Sequence, residues 1–263
     1  MPVPLILLPP SEGKSSGGDG LPWSKTTQSF PELESARKEV IKALKTAMKA
    51  PVAERSKLLG VGEAKTDEAT KANLSVNTGK TLPAIERYTG VLYDALEYGS
   101  LSGKLKKRVD SQVVIFSGLW GILRPGDHIP DYKLKMGAKL PTLGKPSVFW
   151  KSLISESLAD AASDVVWDLL PNEHSAAWDS SICGRRIRVS FLDDAVKDGK
   201  RTLVTVSHWN KLLKGSLVRF LAESQIDGPS GLKGFKHPEG YVYKSSLTVE
   251  DDSSIDVFLV AKR

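Results

Sequence analysis

Apolar positions fall into two patterns along the chain: short unbroken runs, and longer stretches of helical period. Leu5-Ile6-Leu7-Leu8 and Val113-Val114-Ile115-Phe116 stop at loop-forming residues, Pro9-Pro10 in the first case and Ser117-Gly118-Leu119-Trp120-Gly121 in the second. Both read as buried strands. Val165-Val166-Trp167, Tyr241-Val242-Tyr243 and Ile255 to Val260 read likewise, and Arg185 to Leu192 with Arg201 to Val206 predicts a hairpin around Lys197-Asp198-Gly199-Lys200. Helical spacing covers about Glu32 to Ala50, closed by Pro51, then Pro83 to Leu96, where Ile85, Tyr88, Val91, Leu92 and Ala95 share one face. Further helices are expected over Phe149 to Ala162 and about Asn210 to Ser224. Strands that are partly hairpin-linked and partly separated by helices predict an α/β (mixed α+β) fold, a mixed sheet flanked by helices. With no repeat and no low-complexity linker, residues 1–263 are expected to form one compact domain, with 32–110 as a helical excursion.

Composition adds bounds rather than detail. No apolar stretch approaches the ~18 residues of a membrane span, and the N-terminus has no basic region followed by an apolar segment, so a cytoplasmic protein without membrane contact is expected. The single cysteine, Cys183, excludes an internal disulfide framework and a cysteine-rich zinc site. His128, His174, His208 and His237 are scattered without metal-ligand spacing, so no cofactor or metal is expected. The net charge of +6 changes the picture through its location. Lys104, Lys106, Lys107, Arg108, Arg124, Lys133, Lys135, Lys139 and Lys145 face only Asp110, Asp127 and Asp131 between residues 104 and 145, which accounts for the whole excess. A concentrated basic stripe suits a polyanion such as duplex DNA, or a phosphorylated small molecule.

Chemistry-bearing residues gather where strands end. The first strand empties into Ser11-Glu12-Gly13-Lys14, and Glu12 and Lys14, two positions apart, project the same way from an extended loop. They are candidates for a coupled acid and base or for an anion clamp. The loop lacks the two glycines flanking four residues that a Walker loop places before its lysine. Ser117, Arg124 and Tyr132 follow the second buried strand, and if the two strands are parallel neighbours their loops share one edge and one anion site. Arg124 before Pro125 reads as a bidentate anion clamp, and Tyr132 as a phenol that donates or stacks. Lys211 and Lys214 near the start of the Asn210 helix, with Arg219 a turn further on, suit an anion held at a helix N-terminus. Within the helical excursion, Leu58-Leu59-Gly60-Val61-Gly62-Glu63-Ala64-Lys65 resembles a helix-hairpin-helix element, in which two glycines let the backbone approach a phosphate and Lys65 adds charge.

Several of these segments carry a family resemblance. Arg87-Tyr88-Thr89-Gly90-Val91-Leu92-Tyr93-Asp94-Ala95-Leu96 is one. Ser117 to Pro125 followed by Pro130-Asp131-Tyr132-Lys133-Leu134-Lys135-Met136-Gly137 is another, and Gly234-Phe235 with Gly240-Tyr241 is the third. With the Pro-Pro-Ser-Glu-Gly-Lys opening, they resemble the YaaA family of bacterial peroxide stress resistance proteins, in order and spacing from residue 4 to the C-terminus. The resemblance implies a compact mixed α/β fold with a helix-hairpin-helix element and a positive cleft, DNA binding, and protection against peroxide, partly by lowering free iron; the basic stripe, with no base-reading motif beside it, predicts that duplex DNA is bound weakly and with little sequence preference. Carried over residue by residue, the family's motif positions fall on Ser11, Glu12, Lys14, Ser117, Gly118, Arg124, Pro125, Tyr132, Gly137, Lys211, Gly215 and Arg219. Two readings therefore stand side by side. A DNA-binding stress protein would use Gly60, Gly62, Lys65, Lys104, Lys106, Lys107, Arg108, Lys214 and Arg219. An enzyme acting on a phosphorylated or carboxylated small molecule would use Glu12, Lys14, Ser117, Arg124, Tyr132 and Lys211.

Overall fold

The structure, a computed structural model, describes residues 4–161, 164–197, 199–206, 209–252 and 254–263. Strand β1 (Leu5–Leu8) is followed by helices α1 (Glu34–Ala47), α2 (Val52–Leu59) and α3 (Glu63–Leu74). A two-residue strand β2 (Leu82–Pro83) leads into short helices α4 (Ala84–Arg87) and α5 (Val91–Leu96), then α6 (Gly103–Gln112). Next come β3 (Val113–Ser117), β4 (Gly121–Leu123), β5 (His128–Ile129), helices α7 (Pro146–Phe149) and α8 (Lys151–Asp160), β6 (Val165–Asp168) and α9 (Asn172–Ser175). The chain closes with β7 (Arg185–Lys197), β8 (Lys200–Thr205), α10 (Asn210–Ser224), β9 (Val242–Tyr243), β10 (Val249–Glu250) and β11 (Ser254–Lys262).

A nine-stranded mixed sheet runs β10-β11-β7-β6-β1-β3-β4, with β8 on β7 and β9 on β11, as expected from the mixture of hairpins and helical connections. Strand β1 lies in its interior, parallel to β3 on one side, Leu8 facing Ile115, and parallel to β6 on the other, Leu7 facing Asp168. Every residue of β1 and β3 is buried, which is why both read as unbroken apolar runs: a parallel strand between helical layers has no wet face. Trp120, Trp150 and Trp167 fill the same core, fully covered.

Two expected elements differ. The single helix from Pro83 to Leu96 is two short helices broken at Tyr88, which is extended (ψ 129°), and at Gly90, whose φ of 101° favours glycine. The interruption has a cause in tertiary pairing. The backbone of 87–89 bonds to the opening loop, through Ser15 N–H to the Arg87 carbonyl and Thr89 N–H to the Gly13 carbonyl. The hairpin is narrower than expected, because Arg185 to Asp168's partner Arg188 runs parallel to β6 and only Leu192–Lys197 pairs with β8. Asp198 of its expected turn, Ala162 of the Phe149 helix and His208 lie outside the described residues. No helix among the described residues is long and apolar enough to cross a membrane.

Candidate functional site

The chain leaves the interior strand β1 for β3 on one side and returns to β6 on the other, so the order reverses at β1, and crevices in α/β sheets open at such points beyond the strands' carboxyl ends. A cleft of about 680 Å³ lies there. Its walls are the loop after β1 (Pro9 to Lys14), the Thr89–Tyr93 segment, the stretch Tyr132–Met136, the loop after β6 with Glu173 and His174, and the first turns of α10. Five lysines line it, Lys14, Lys133, Lys135, Lys211 and Lys214, against the two carboxylates of Glu12 and Glu173. Among the described residues, no three His, Cys, Asp or Glu side chains are placed to share a metal ion.

Lys14 sits deepest in chemical terms. Its Nζ donates to the Ser11 carbonyl at 3.2 Å and stands 4.3 Å from the centre of the Tyr132 ring and 5.5 Å from that of Tyr88. Burial lowers its ammonium to about 8, opposed by Asp131 and Glu12 and assisted by Lys133 and Arg87. The ring beneath it is fixed by a chain of hydroxyls: Tyr132 Oη lies 2.7 Å from Tyr88 Oη and 2.7 Å from Ser117 Oγ. Ser117 Oγ in turn accepts from Leu119 N–H at 3.2 Å and Trp120 N–H at 3.1 Å. Burial pushes the Tyr132 phenol up to about 12, so it stays protonated and neutral beside the amine.

Glu12 does not pair with Lys14. It bridges Lys133 Nζ at 3.0 Å and Lys135 Nζ at 3.1 Å. Its burial raises the carboxyl, but the two lysine hydrogen bonds outweigh this and hold it below its usual range. On the far wall His174 is lowered to about 4 by burial, leaving it neutral, and Lys214 donates to the Leu169 carbonyl at 2.7 Å while burial lowers it to about 8. Glu173 Oε1 accepts from Gly137 N–H at 2.5 Å, and a Cβ at Gly137 would stand 2.7 Å from that oxygen, so a larger residue there would displace the Glu173 carboxylate.

Several expected site residues lie elsewhere. Arg124 is at the opposite edge of the sheet: β4 returns antiparallel to β3, which carries the side chain back to the strand's start, ~13 Å of extended chain from its carboxyl end. There Nη1 donates to the Ser111 and Val113 carbonyls, the guanidinium lies over Phe30, and its backbone N–H is held by Asp127. The shared anion site expected of Lys14 and Arg124 is therefore not formed. Ser117 is fully covered and anchors Tyr132 instead of facing the cleft. Arg219 is tied to Glu97, Glu223 and Ser100, away from the cleft, and Arg108 donates to the Ala222 carbonyl near the end of α10 instead of standing free. Lys106 packs over Tyr98, leaving Lys104 and Lys107 as the exposed lysines of α6.

The glycine turn expected between two helices is present. Gly60 ends α2 with φ 63°, Gly62 precedes α3, and Gly62, Glu63, Ala64 and Lys65 are exposed. Asp67, whose charge opposes an anion, is engaged by Arg55 at 3.1 Å. The turn also adjoins the cleft. A Cβ on Gly60 would lie 2.8 Å from Lys135 Nζ, so one lysine touches both the hairpin and Glu12. Lys133 and Lys135 went unnamed as site residues in sequence, although Tyr132 to Ala138 alternates strictly between buried and partly exposed positions, the signature of an extended segment with one wet face.

Fold and cleft together define a single-domain mixed α/β protein with a lysine-rich crevice at the switch point of its sheet. The chain belongs to the family described as "Peroxide stress protein YaaA", whose model matches residues 5–247. It is similar to a UPF0246 protein of Streptomyces coelicolor, 37% identical over 242 residues covering 90% of each chain. A UPF0246 protein of Corynebacterium glutamicum is 38% identical over 230 residues, 84% of this chain and 86% of the relative.

Proposed function

We propose that this peroxide stress protein binds the phosphate backbone of duplex DNA along a track running from Lys211 and Lys214, past Lys133 and Lys135, to the Gly60-Val61-Gly62 turn. The observation that carries the reading is the contact of Lys135 with Gly60, which makes the lysine-lined cleft and the glycine turn one continuous surface. Open amides at the start of α3 and lysine ammonium groups, here outnumbering the one carboxylate of Glu12 that bridges two of them, are the usual partners of phosphate oxygens. Nothing on this surface reads bases, so binding is weak, indifferent to sequence and dominated by counterion release. The reading of a small-molecule enzyme loses its anion clamp with Arg124 at the opposite edge, and DNA is the better fit.

Titrating labelled duplex at rising salt is expected to give a log–log slope of about −0.9 per phosphate contacted. Lys133→Glu with Lys135→Glu should weaken binding by about 10-fold or more at low salt, with a thermal unfolding midpoint close to the parent's. An affinity indifferent to salt overturns the proposal. Reversing Lys104 and Lys107 is the companion measurement, and an equal or larger loss there moves the interface to α6.

A further inference from the structure

We propose that Lys14 is an imine-forming amine and that its substrate class is DNA carrying the ring-opened, aldehydic sugar of an abasic site. The inference rests on the DNA reading above and names a chemical step for the same cleft. Among the described lysines of the cleft, Lys133 and Lys135 are held by Glu12 and Lys214 by the Leu169 carbonyl, while Lys211 is solvent-exposed at the start of α10 and Lys14 is partly covered. Lys14 has only the Ser11 carbonyl as a hydrogen-bond partner, and it pairs with no carboxylate. Its Nζ stands over the face of Tyr132, with the apolar side chains of Val91, Leu92 and Met136 also lining the cleft. Val91 is 48% exposed there, where a solvent-facing residue of a short helix is usually polar. An amine kept from ion pairing, partly desolvated and open to a cleft is the arrangement in which lysine adds to carbonyl carbon.

The step balances without any oxidant or metal. The unprotonated amine adds to the C1′ aldehyde, and loss of one water gives the C=N bond. The imine acidifies the C2′ hydrogen. Its proton passes to solvent, the freed pair forms C2′=C3′, and the C3′–O bond breaks with the 3′-phosphate as leaving group. Water then hydrolyses the imine and restores Lys14. The flanking lysines hold the phosphates on either side of the lesion, and Tyr132, neutral and hydrogen-bonded through its hydroxyl, keeps the amine over its ring.

Borohydride reduction tests this, because it turns a transient imine into a permanent secondary amine. The full chain is incubated with labelled duplex containing one abasic site and sodium cyanoborohydride, and the covalent product is mapped by peptide mass. The adduct is expected on Lys14, forming faster as pH rises through about 8, where the amine loses its proton. The groups facing that amine are Asp131, Glu12, Lys133, Arg87, Tyr88 and Tyr132. Lys14→Arg, which keeps the charge, should lose the adduct while binding intact duplex with an unchanged salt slope, and Lys200→Ala, on the β8 edge, should keep both. An adduct that is absent, or that maps elsewhere, on a protein that does bind intact duplex overturns the assignment of Lys14 and leaves the DNA reading standing. A protein that does not bind intact duplex at low salt overturns both.

Discussion

Arg87→Ala is expected to lower the free energy of unfolding by about 3–5 kcal/mol, read as a fall in the urea midpoint with an unchanged slope. Arg87 is completely covered, yet it ends no ion pair. Its guanidinium donates to the Ile129 carbonyl at 3.2 Å, the Gly17 carbonyl at 2.8 Å, the Lys80 carbonyl at 3.2 Å and the Ser15 carbonyl. Burial lowers its pKa, with Asp131 opposing, but a guanidinium stays charged and keeps all its donors. Alanine removes the side-chain donor from four carbonyls, at ~1–3 kcal/mol for each that stays buried, and leaves a large cavity. The loss is bounded because the opening loop can swing out and rehydrate Ser15 and Gly17. Hydrogen exchange separates the two contributions: the Ser15 amide, bonded to the Arg87 carbonyl, should lose its protection well below the global midpoint. An unfolding free energy within about 0.5 kcal/mol of the parent's, the range of ordinary surface substitutions, would show that Arg87 is dispensable to the fold.

That loop is also where the sequence was most and least legible. β1, β3 and α10 stand out because each is dictated locally, by an unbroken apolar run or by a clean helical period, and α10 occupies Asn210–Ser224 as its periodicity predicts. Their parallel pairing followed from the α/β pattern, and it places the loop holding Glu12 and Lys14 beside the end of β3 that holds Ser117. Arg124 was misplaced for a reason of topology: β4 is only three residues long and doubles back, and nothing in Gly-Ile-Leu distinguishes a returning strand from a loop. The helix over 83–96 was misread because its apolar spacing is real, while the break at Tyr88 is imposed by pairing with residues more than seventy positions earlier. The same long-range pairing supplies Tyr88 to the hydroxyl chain under Lys14. The lysines at 133 and 135 were visible as charge but not as a site, since only the fold brings Glu12 between them.

Gly215→Ala sets two effects of known size against each other. In an exposed helix interior the change stabilises by ~1 kcal/mol, because glycine is the poorer helix former. Here a Cβ at 215 would fall 2.1 Å from the Leu92 carbonyl oxygen and 2.9 Å from the Ala95 Cβ, the side of α5 on which α10 packs. The first of these is backbone and cannot rotate away, so the helices must separate by about an ångström or more, and forced repacking of this kind costs ~1–3 kcal/mol beyond the propensity gain. Packing is expected to win, giving a net loss of about 1–2 kcal/mol in urea unfolding. The consequence reaches the cleft, since α10 carries Lys211 and Lys214 and α5 carries Val91 and Leu92 on facing walls. Separation of the two helices widens the gap between these walls without removing any charge. Duplex affinity should therefore fall by a few-fold while the salt slope, which counts the phosphates contacted, stays near the parent's. A stabilised Gly215→Ala protein would show that the close approach of α10 to α5 does not exist in solution.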